Sequence, residues 1–550
     1  MDSFKLLKRR TTDLISSIPQ SLPSIQSLHL GGTHHHAHYH HHGTQTIKGT
    51  WEKIGGLPPL LRFSYSVSVV AGNVYIFGGE SPGGREPVDN DVHVITLPSS
   101  GAPADYYTIK ATPEPKEAAP VAPPAPEIKI ESEDIVDAGG DAASSDKGKA
   151  NQIPSSLASS LPPVPSPRIG HATASIGHRI FIYGGRGGPD LTPLDEGGRV
   201  WVFDTRSRHW SYLDPVLLPT TSTSGPSVPE PRSDHSAIAT DKPRDFDLAP
   251  HHPKPITRTD TWKQWALGDS DEVGIPQNPI VGNIAARAVD PDLAGFGTLL
   301  IHGGRLSSGS LTSDLWAFDI HSRTWKRLPD APGTPLVAPA MSLSRSRLYR
   351  FAGSPTESSR LDYLELGVDQ FNDGFSAGEV SLVARGEWQS LSQTKKQDVG
   401  YKEPDPAEAP LTEVEKEDDP WPCVRHAARL EAVTVGGGRE YLVLLLGEAE
   451  GGRYLDDVWA FEVPAQGMSA AKVANSVMSA VGRRTGEGKW KRVEAAPYDD
   501  EDDESADGPG PRAWFGSATM GDLEESGIVI WGGIEEGGKR KGDVWVFRLG

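Results

Sequence analysis

Apolar residues along the chain fall in short runs, many of them closed by a pair of glycines, and the clearest lie in residues 170–213. There a run of small residues, His171 to Ile176, is followed across the Gly177-His178 turn by the apolar run Ile180 to Tyr183 and by Gly184-Gly185. After a polar loop come Val200-Trp201-Val202-Phe203-Asp204, a turn, and Trp210-Ser211-Tyr212-Leu213. Four short β-type runs, ~8–12 residues apart with turn residues between them, predict one small antiparallel sheet. A sheet of that size cannot bury both faces alone, so it needs copies of itself as neighbours.

The apolar run ending in Gly-Gly recurs at Val74 to Gly79, Leu299 to Gly304 and Ile528 to Gly533, and in worn form at Leu348 to Gly353 and Val443 to Gly447. The third run recurs as Asp314-Leu315-Trp316-Ala317-Phe318, Asp457-Val458-Trp459-Ala460-Phe461 and Asp543-Val544-Trp545-Val546-Phe547, and more weakly at Asp91 to Ile95 and Asp362 to Leu366. The fourth carries Trp210, Trp325, Trp388 and Trp490. In this order the residues resemble the kelch repeat, and the resemblance covers most of residues 51–549 apart from insertions. It implies an all-β chain folded as a kelch-type β-propeller, the architecture shared with galactose oxidase, with one four-stranded sheet per blade. The glycine pair permits positive φ and close backbone approach where blades crowd, and the aromatic residues supply apolar area between blades.

Composition narrows the picture. Sixty glycines and forty-seven prolines in 550 residues favour turns and linkers over long helices. Cys423 is the single cysteine, which excludes an intrachain disulfide and points to the cytoplasm. No apolar run approaches the ~20 residues of a membrane-spanning helix. The net charge of −20 is concentrated: residues 113–149 and 393–420 carry −5 each and residues 498–510 carry −7. What is left for the repeats is nearly neutral, which argues against a nucleic-acid-binding surface.

Residues 1–50 read as a disordered tail, with 51–550 as the propeller. In the tail, Phe4, Leu7, Leu14, Ile15 and Ile18 beside Lys5, Lys8, Arg9 and Arg10 leave a transit peptide or membrane-surface helix as the alternative. The tract of histidines from His34 to His42 reads as an adventitious metal binder rather than a site. Trp51-Glu52-Lys53-Ile54 looks like a fourth strand lacking its first three, and residues 513–547 look like three strands lacking a fourth. Pairing them in one blade would close the ring. Insertions are expected at 111–166, 241–282, 393–420, 464–488 and 498–510, disordered by composition, with a short helix over 468–482. One repeat is ambiguous: a first strand near Arg232-Ser233-Asp234-His235 is followed by a second only at Leu299, with a rival first strand at Asn283 to Val289. Six blades are expected, and seven if that interval holds a degenerate extra blade. Strand alternation puts the acidic insertions, which link a fourth strand to the next first strand, on one face of the ring.

Known catalytic patterns are met only in part by the residues present. The galactose oxidase family needs a Tyr–Cys crosslink, a second tyrosine and two histidines on copper, and Cys423 beside His426 does not supply that set. Plant nitrile-specifier proteins, also kelch propellers, carry an iron-binding Glu-xxx-Asp-xxx-His, whereas Glu86, Asp89 and His93 have a Glu–Asp spacing one residue short. Neither GxxxxGK[ST] nor GxSxG occurs. What remains is a set of first-strand arginines and histidines: Arg62, Arg168, Arg232, Arg425 and Arg512, with His171, His235 and His426. A ring of guanidinium groups at one channel mouth would bind a partner's carboxylates bidentately; the competing expectation is that they pair with neighbouring loops.

The expected function is a non-catalytic protein–protein interaction scaffold, monomeric, without cofactor or metal, meeting a protein partner through an acidic segment. Fungal polarity proteins and ubiquitin-ligase adaptors in the kelch family act in this way, although no BTB-like or F-box-like domain is visible here. The alternative is a small-molecule lyase or isomerase-like enzyme at the channel mouth, similar to the metal-dependent nitrile-specifier proteins.

Overall fold

The computed structural model describes residues 46–58, 60–81, 83, 86–99, 102–115, 161–217, 227–242, 296–354, 357–371, 379–393, 420–436, 438–464, 488–499, 508–521 and 524–550. The tail with its histidine tract, the rival strand at 283–289, the expected helix at 468–482 and most of the five expected insertions lie outside these residues.

The described residues form six sets of four antiparallel strands. Sheet one is Ser66–Val70, Asn73–Phe77, Val92–Thr96 and Asp105–Ile109. Sheet two is Ala172–Ile176, Arg179–Tyr183, Val200–Asp204 and His209–Leu213, the four runs read from the sequence. Sheet three is Ser236–Thr240, Thr298–His302, Leu315–Asp319 and Thr324–Leu328. In the ambiguous repeat the strand after His235 is the one that pairs with Thr298–His302, Ser236 opposite His302. Sheet four is Ala340–Ser344, Arg347–Ser354, Glu357–Phe371 and Gln389–Ser392. Sheet five is Arg429–Val435, Arg439–Ala449, Tyr454–Glu462 and Trp490–Pro497. Sheet six takes Gly516–Thr519, Gly527–Ile534 and Arg540–Leu549 from the C-terminal part and Ile47–Ile54 from the N-terminal part.

First strands of successive sheets touch one another, and that of sheet six touches that of sheet one. The inner strands therefore have a sheet on either side, which is why second and third strands such as Arg179–Tyr183 and Val200–Asp204 bury a continuous apolar run rather than an alternating one. Ile180 and Ile182 pack with Tyr75, Phe77 and Val94 of sheet one. Phe181 and Tyr183, one residue out of phase, pack with Leu299, Ile301 and Phe318 of sheet three. Fourth-strand tryptophans reach back to the preceding sheet: Trp210 lies 5.0 Å from Phe77, Trp325 5.0 Å from Tyr183 and Trp490 5.9 Å from Phe351, ring centre to ring centre.

Closure by the N-terminal strand is as the sequence led one to expect, with Trp51 opposite Phe547 and Ile54 opposite Val544. Trp51 is buried, 4.8 Å from the Phe547 ring. Unexpectedly, the same strand also pairs in parallel with sheet five, Ile47 opposite Val493 through Trp51 opposite Pro497. One strand thus holds the edges of two sheets. Sheet four departs in another way. Its third strand runs on for fifteen residues and folds back as a hairpin with Glu379–Ala384, and Trp388 sits just before the fourth strand rather than on it.

Because Trp51 fills the seam between sheets five and six, Trp51→Ala is expected to cost about 3–5 kcal/mol in equilibrium urea unfolding. Lys48→Ala, an exposed position on the same strand, should change stability by less than about 0.5 kcal/mol. Equal effects would contradict the closure.

Candidate functional site

The first-strand arginines belong to a cluster that five sheets repeat. Arg62 holds both oxygens of Asp89 at 2.9 and 2.7 Å. Arg168 holds Glu196 at 2.9 and 2.8 Å, and Arg232 holds Asp314 at 2.6 and 2.9 Å. Arg425 holds Asp457 at 2.7 and 3.0 Å, and Arg512 holds Asp543 at 2.8 and 3.2 Å. The same Nη1 donates to a carbonyl at the end of the second strand: Gly78, Gly184, Gly303, Leu446 or Gly532, at 3.0–3.3 Å. In four sheets the carboxylate also accepts the indole N–H of the third-strand tryptophan, Trp201, Trp316, Trp459 or Trp545, at 2.6–2.9 Å.

The glycine pair makes this geometry available. Gly184 and Gly185 have φ of 61° and 95°, a conformation that turns the Gly184 carbonyl toward Arg168 and that residues with a Cβ rarely adopt. A Cβ on Gly184 would also lie 2.7 Å from the carbonyl oxygen of Arg232 in the next sheet.

The expectation of a displayed guanidinium ring is corrected by these contacts. Arg168 is 0% exposed, Arg232 and Arg512 1%, and Arg62 and Arg425 7%. A carboxylate from outside would have to displace a bidentate, charge-assisted pair whose guanidinium is buried. Burial by itself would raise the Asp314, Asp457 and Asp543 carboxyls, but the arginine hydrogen bonds and charge outweigh it and hold all three below the ordinary range. Asp89 is likewise held low against its burial, by His93 and Arg62.

The histidines divide. His171 is buried, its Nε2 2.8 Å from the Ser66 hydroxyl and its ring edge-on to Phe77 at 5.2 Å. Burial, then the charge of Arg168, keeps it well below the ordinary histidine value. His235 packs edge-on against Tyr183 at 5.7 Å, and burial with the Arg232 charge pushes it down to about 3. Both are neutral packing groups at physiological pH. His426 alone of the three is exposed.

Asp89, the middle member of the Glu86–Asp89–His93 string, is the carboxylate that Arg62 holds, and His93 lies 3.6 Å from it in the place other sheets give to tryptophan. Cys423 is exposed, its sulfur 3.5 Å from Nη2 of Arg425. Among the described residues no group of three or more His, Cys, Asp or Glu side chains is placed to hold a metal ion.

Sheet four shows what happens without the arginine. Its ladder Ala340↔Phe351↔Leu361 corresponds to Ser236↔His302↔Leu315 of sheet three. Leu336 then stands where Arg232 does, Arg360 where Asp314 does, and Asp362 where Trp316 does. The charges re-form one layer away: Arg350 and Asp362 meet at 2.7 Å with neither side chain exposed, and Arg360 and Ser390 complete the carboxylate at 3.0 and 2.6 Å. The pairing partners were not legible from the individual residues. A partial signal is co-occurrence: in three arginine-bearing repeats the acid stands two residues before the third-strand tryptophan, as Asp314, Asp457 and Asp543, and sheet four lacks arginine, acid and tryptophan together, whereas Asp89 and Glu196 lie farther upstream.

A ring of four-stranded sheets, each with a glycine-closed second strand and a buried arginine–carboxylate pair, defines a repeat propeller. The Kelch motif matches residues 167–216, which is sheet two with its arginine. The chain is a kelch-repeat β-propeller protein. No curated protein matches it. Among solved structures it is similar to one described as the structure of YjhT, at 10% identity and a TM-score of 0.40, over 89% of this chain and 95% of that one; so low a score carries no argument about function. No helix of the described residues is long and apolar enough to cross a membrane.

Two outcomes follow. The lowered carboxyls contribute stability that is complete above the ordinary carboxylate value and is lost as pH falls through their depressed folded values. Unfolding free energy should thus begin to fall below about pH 6.5, where the histidines protonate in the unfolded chain while buried His171 and His235 stay neutral, and fall further below about pH 4 as the carboxyls protonate, with a smaller acid-limb drop in Asp314→Asn. A curve level down to pH 2 would contradict the pairing. Gly184→Ala, where both φ and the Arg232 carbonyl oppose a Cβ, should cost about 1–3 kcal/mol, read by urea unfolding.

Proposed function

We propose that the ring is a non-catalytic platform on which a protein partner assembles. The observation that carries this reading is the commitment of the polar side chains at the channel mouth: arginines closed on carboxylates, His171 and His235 buried and neutral. Catalytic groups are ordinarily open to substrate and have a pKa near working pH, whereas these side chains are buried and the two histidines are held far below it. A regular scaffold carrying long connections of different length is the arrangement that puts recognition on loops. The protein acts as a monomeric ring in the cytoplasm, a setting that agrees with its exposed free thiol, Cys423. The partner presents an acidic segment, which binds a surface other than the closed arginines.

The test has two arms. Affinity purification of the endogenous protein under native conditions should return a partner in near-stoichiometric amount. Elemental analysis of protein freed of the His34–His42 tract should give well below one iron or copper per chain. Close to one metal per chain together with no recovered partner would overturn the platform in favour of an enzyme.

A further inference from the structure

Away from the channel mouth, the third sheet's first strand ends at Thr240 and the fourth sheet's first hairpin turns at Arg345-Ser346, both on the opposite face of the ring. Between them the extended third strand of sheet four and its returning strand, Glu379–Ala384, wall a cleft of about 260 Å³. Its apolar surface comes from Leu343, Leu366 and Leu382. The charges that line it are Lys242, Arg345 and Arg385 against Glu365, with Glu440 of sheet five paired to Arg345.

The arginine of the turn is held for use. Arg345 has φ of 56°, a conformation that glycine or asparagine would adopt at lower cost. Its Nε is fixed at 2.9 Å by Glu440 of sheet five, which also accepts the Ser344 hydroxyl. A guanidinium oriented through Nε keeps its Nη groups for a second carboxylate. Lys242 and Arg385 are exposed. The hairpin that builds one wall occurs in sheet four alone among the described sheets.

We infer that this cleft binds an acidic segment of a partner protein, one or two leucine-sized side chains seated on the apolar wall and flanking carboxylates held by Lys242, Arg345 and Arg385. Two observations select that occupant. The cleft is smaller than the ~300–1,000 Å³ usual for a cofactor or drug-sized ligand, so it accommodates side chains rather than a whole small molecule. Its charge is complementary to carboxylates and opposed to basic segments. The inference rests on the platform reading and gives it a location, on the face away from the buried arginines.

Full-length protein should bind a fluorescent peptide of alternating glutamate and leucine and not its lysine–leucine counterpart, by anisotropy at low salt. Affinity for the acidic peptide should fall at least tenfold in Lys242→Glu/Arg385→Glu and weaken with salt in the parent. Both positions are exposed, so the melting temperature should be that of the parent; if the double variant fails to fold, Lys242→Glu alone should lower affinity severalfold. Equal binding of the two peptides, or equal binding by parent and variant, overturns the proposal. So does the absence of binding to the full chain, which a cleft already filled by the chain's own residues would give, and so does a parent dimer that the reversal dissociates. If a partner co-purifies while the acidic peptide does not bind, the location fails and the platform stands; if no partner is recovered and close to one metal per chain is found, the platform fails whatever the peptide does.

Discussion

An arginine at the start of a first strand, closed on the carboxylate that opens a third strand, fixes the geometry of five of the six sheets. One side chain ties three backbone levels together, because its Nη1 also reaches the carbonyl at the end of the second strand. A buried ion pair contributes little net stability over an apolar replacement, yet removing one member leaves a desolvated charge. The clamp is therefore best understood as a registration device: it admits one arrangement of the strand ends and penalises others. Sheet four supports that view, since losing the arginine there coincides with relocation of the whole charge set to Arg350, Asp362 and Arg360.

The remaining order follows from sheets that are covered on both faces. Alternate residues of one strand enter different cores, so Ile182 and Tyr183 belong to different seams. Each sheet depends on two neighbours, and the ring depends on its last seam. There Ile47–Ile54 completes sheet six and also lies parallel to the outer strand of sheet five. A strand paired on both edges leaves neither sheet with an open edge at the point of closure.

Much of this was legible in the sequence. The glycine pairs, the third-strand aspartate and tryptophan and the fourth-strand tryptophan set the sheets, and the orphan strand at Trp51 set the closure. Pattern reading failed where contact depends on residues far apart. Arg232 and Asp314 are separated by 82 positions, so the sequence left the arginines either displayed at a channel mouth or paired with neighbouring loops, when they are tied to the third strand of their own sheet. The parallel pairing with Val493–Pro497 and the sheet-four hairpin escaped for a related reason: periodicity reports which residues are extended and not which strand lies beside them. Gln389–Ser392 has a weak apolar pattern and is exposed along most of its length, so Trp388 drew the fourth strand one position too early.

For function, the consequence is that the side chains a sequence reader would choose as a binding ring are the ones the fold has already taken. The central claim is that these arginines are internal ties. Equilibrium unfolding of Arg232→Ala and Arg425→Ala, set beside binding of a recovered partner, tests it most directly. Each variant should lose about 3–5 kcal/mol, with binding by the remaining folded protein little changed. Stability within about 0.5 kcal/mol of the parent together with lost partner binding would contradict the account.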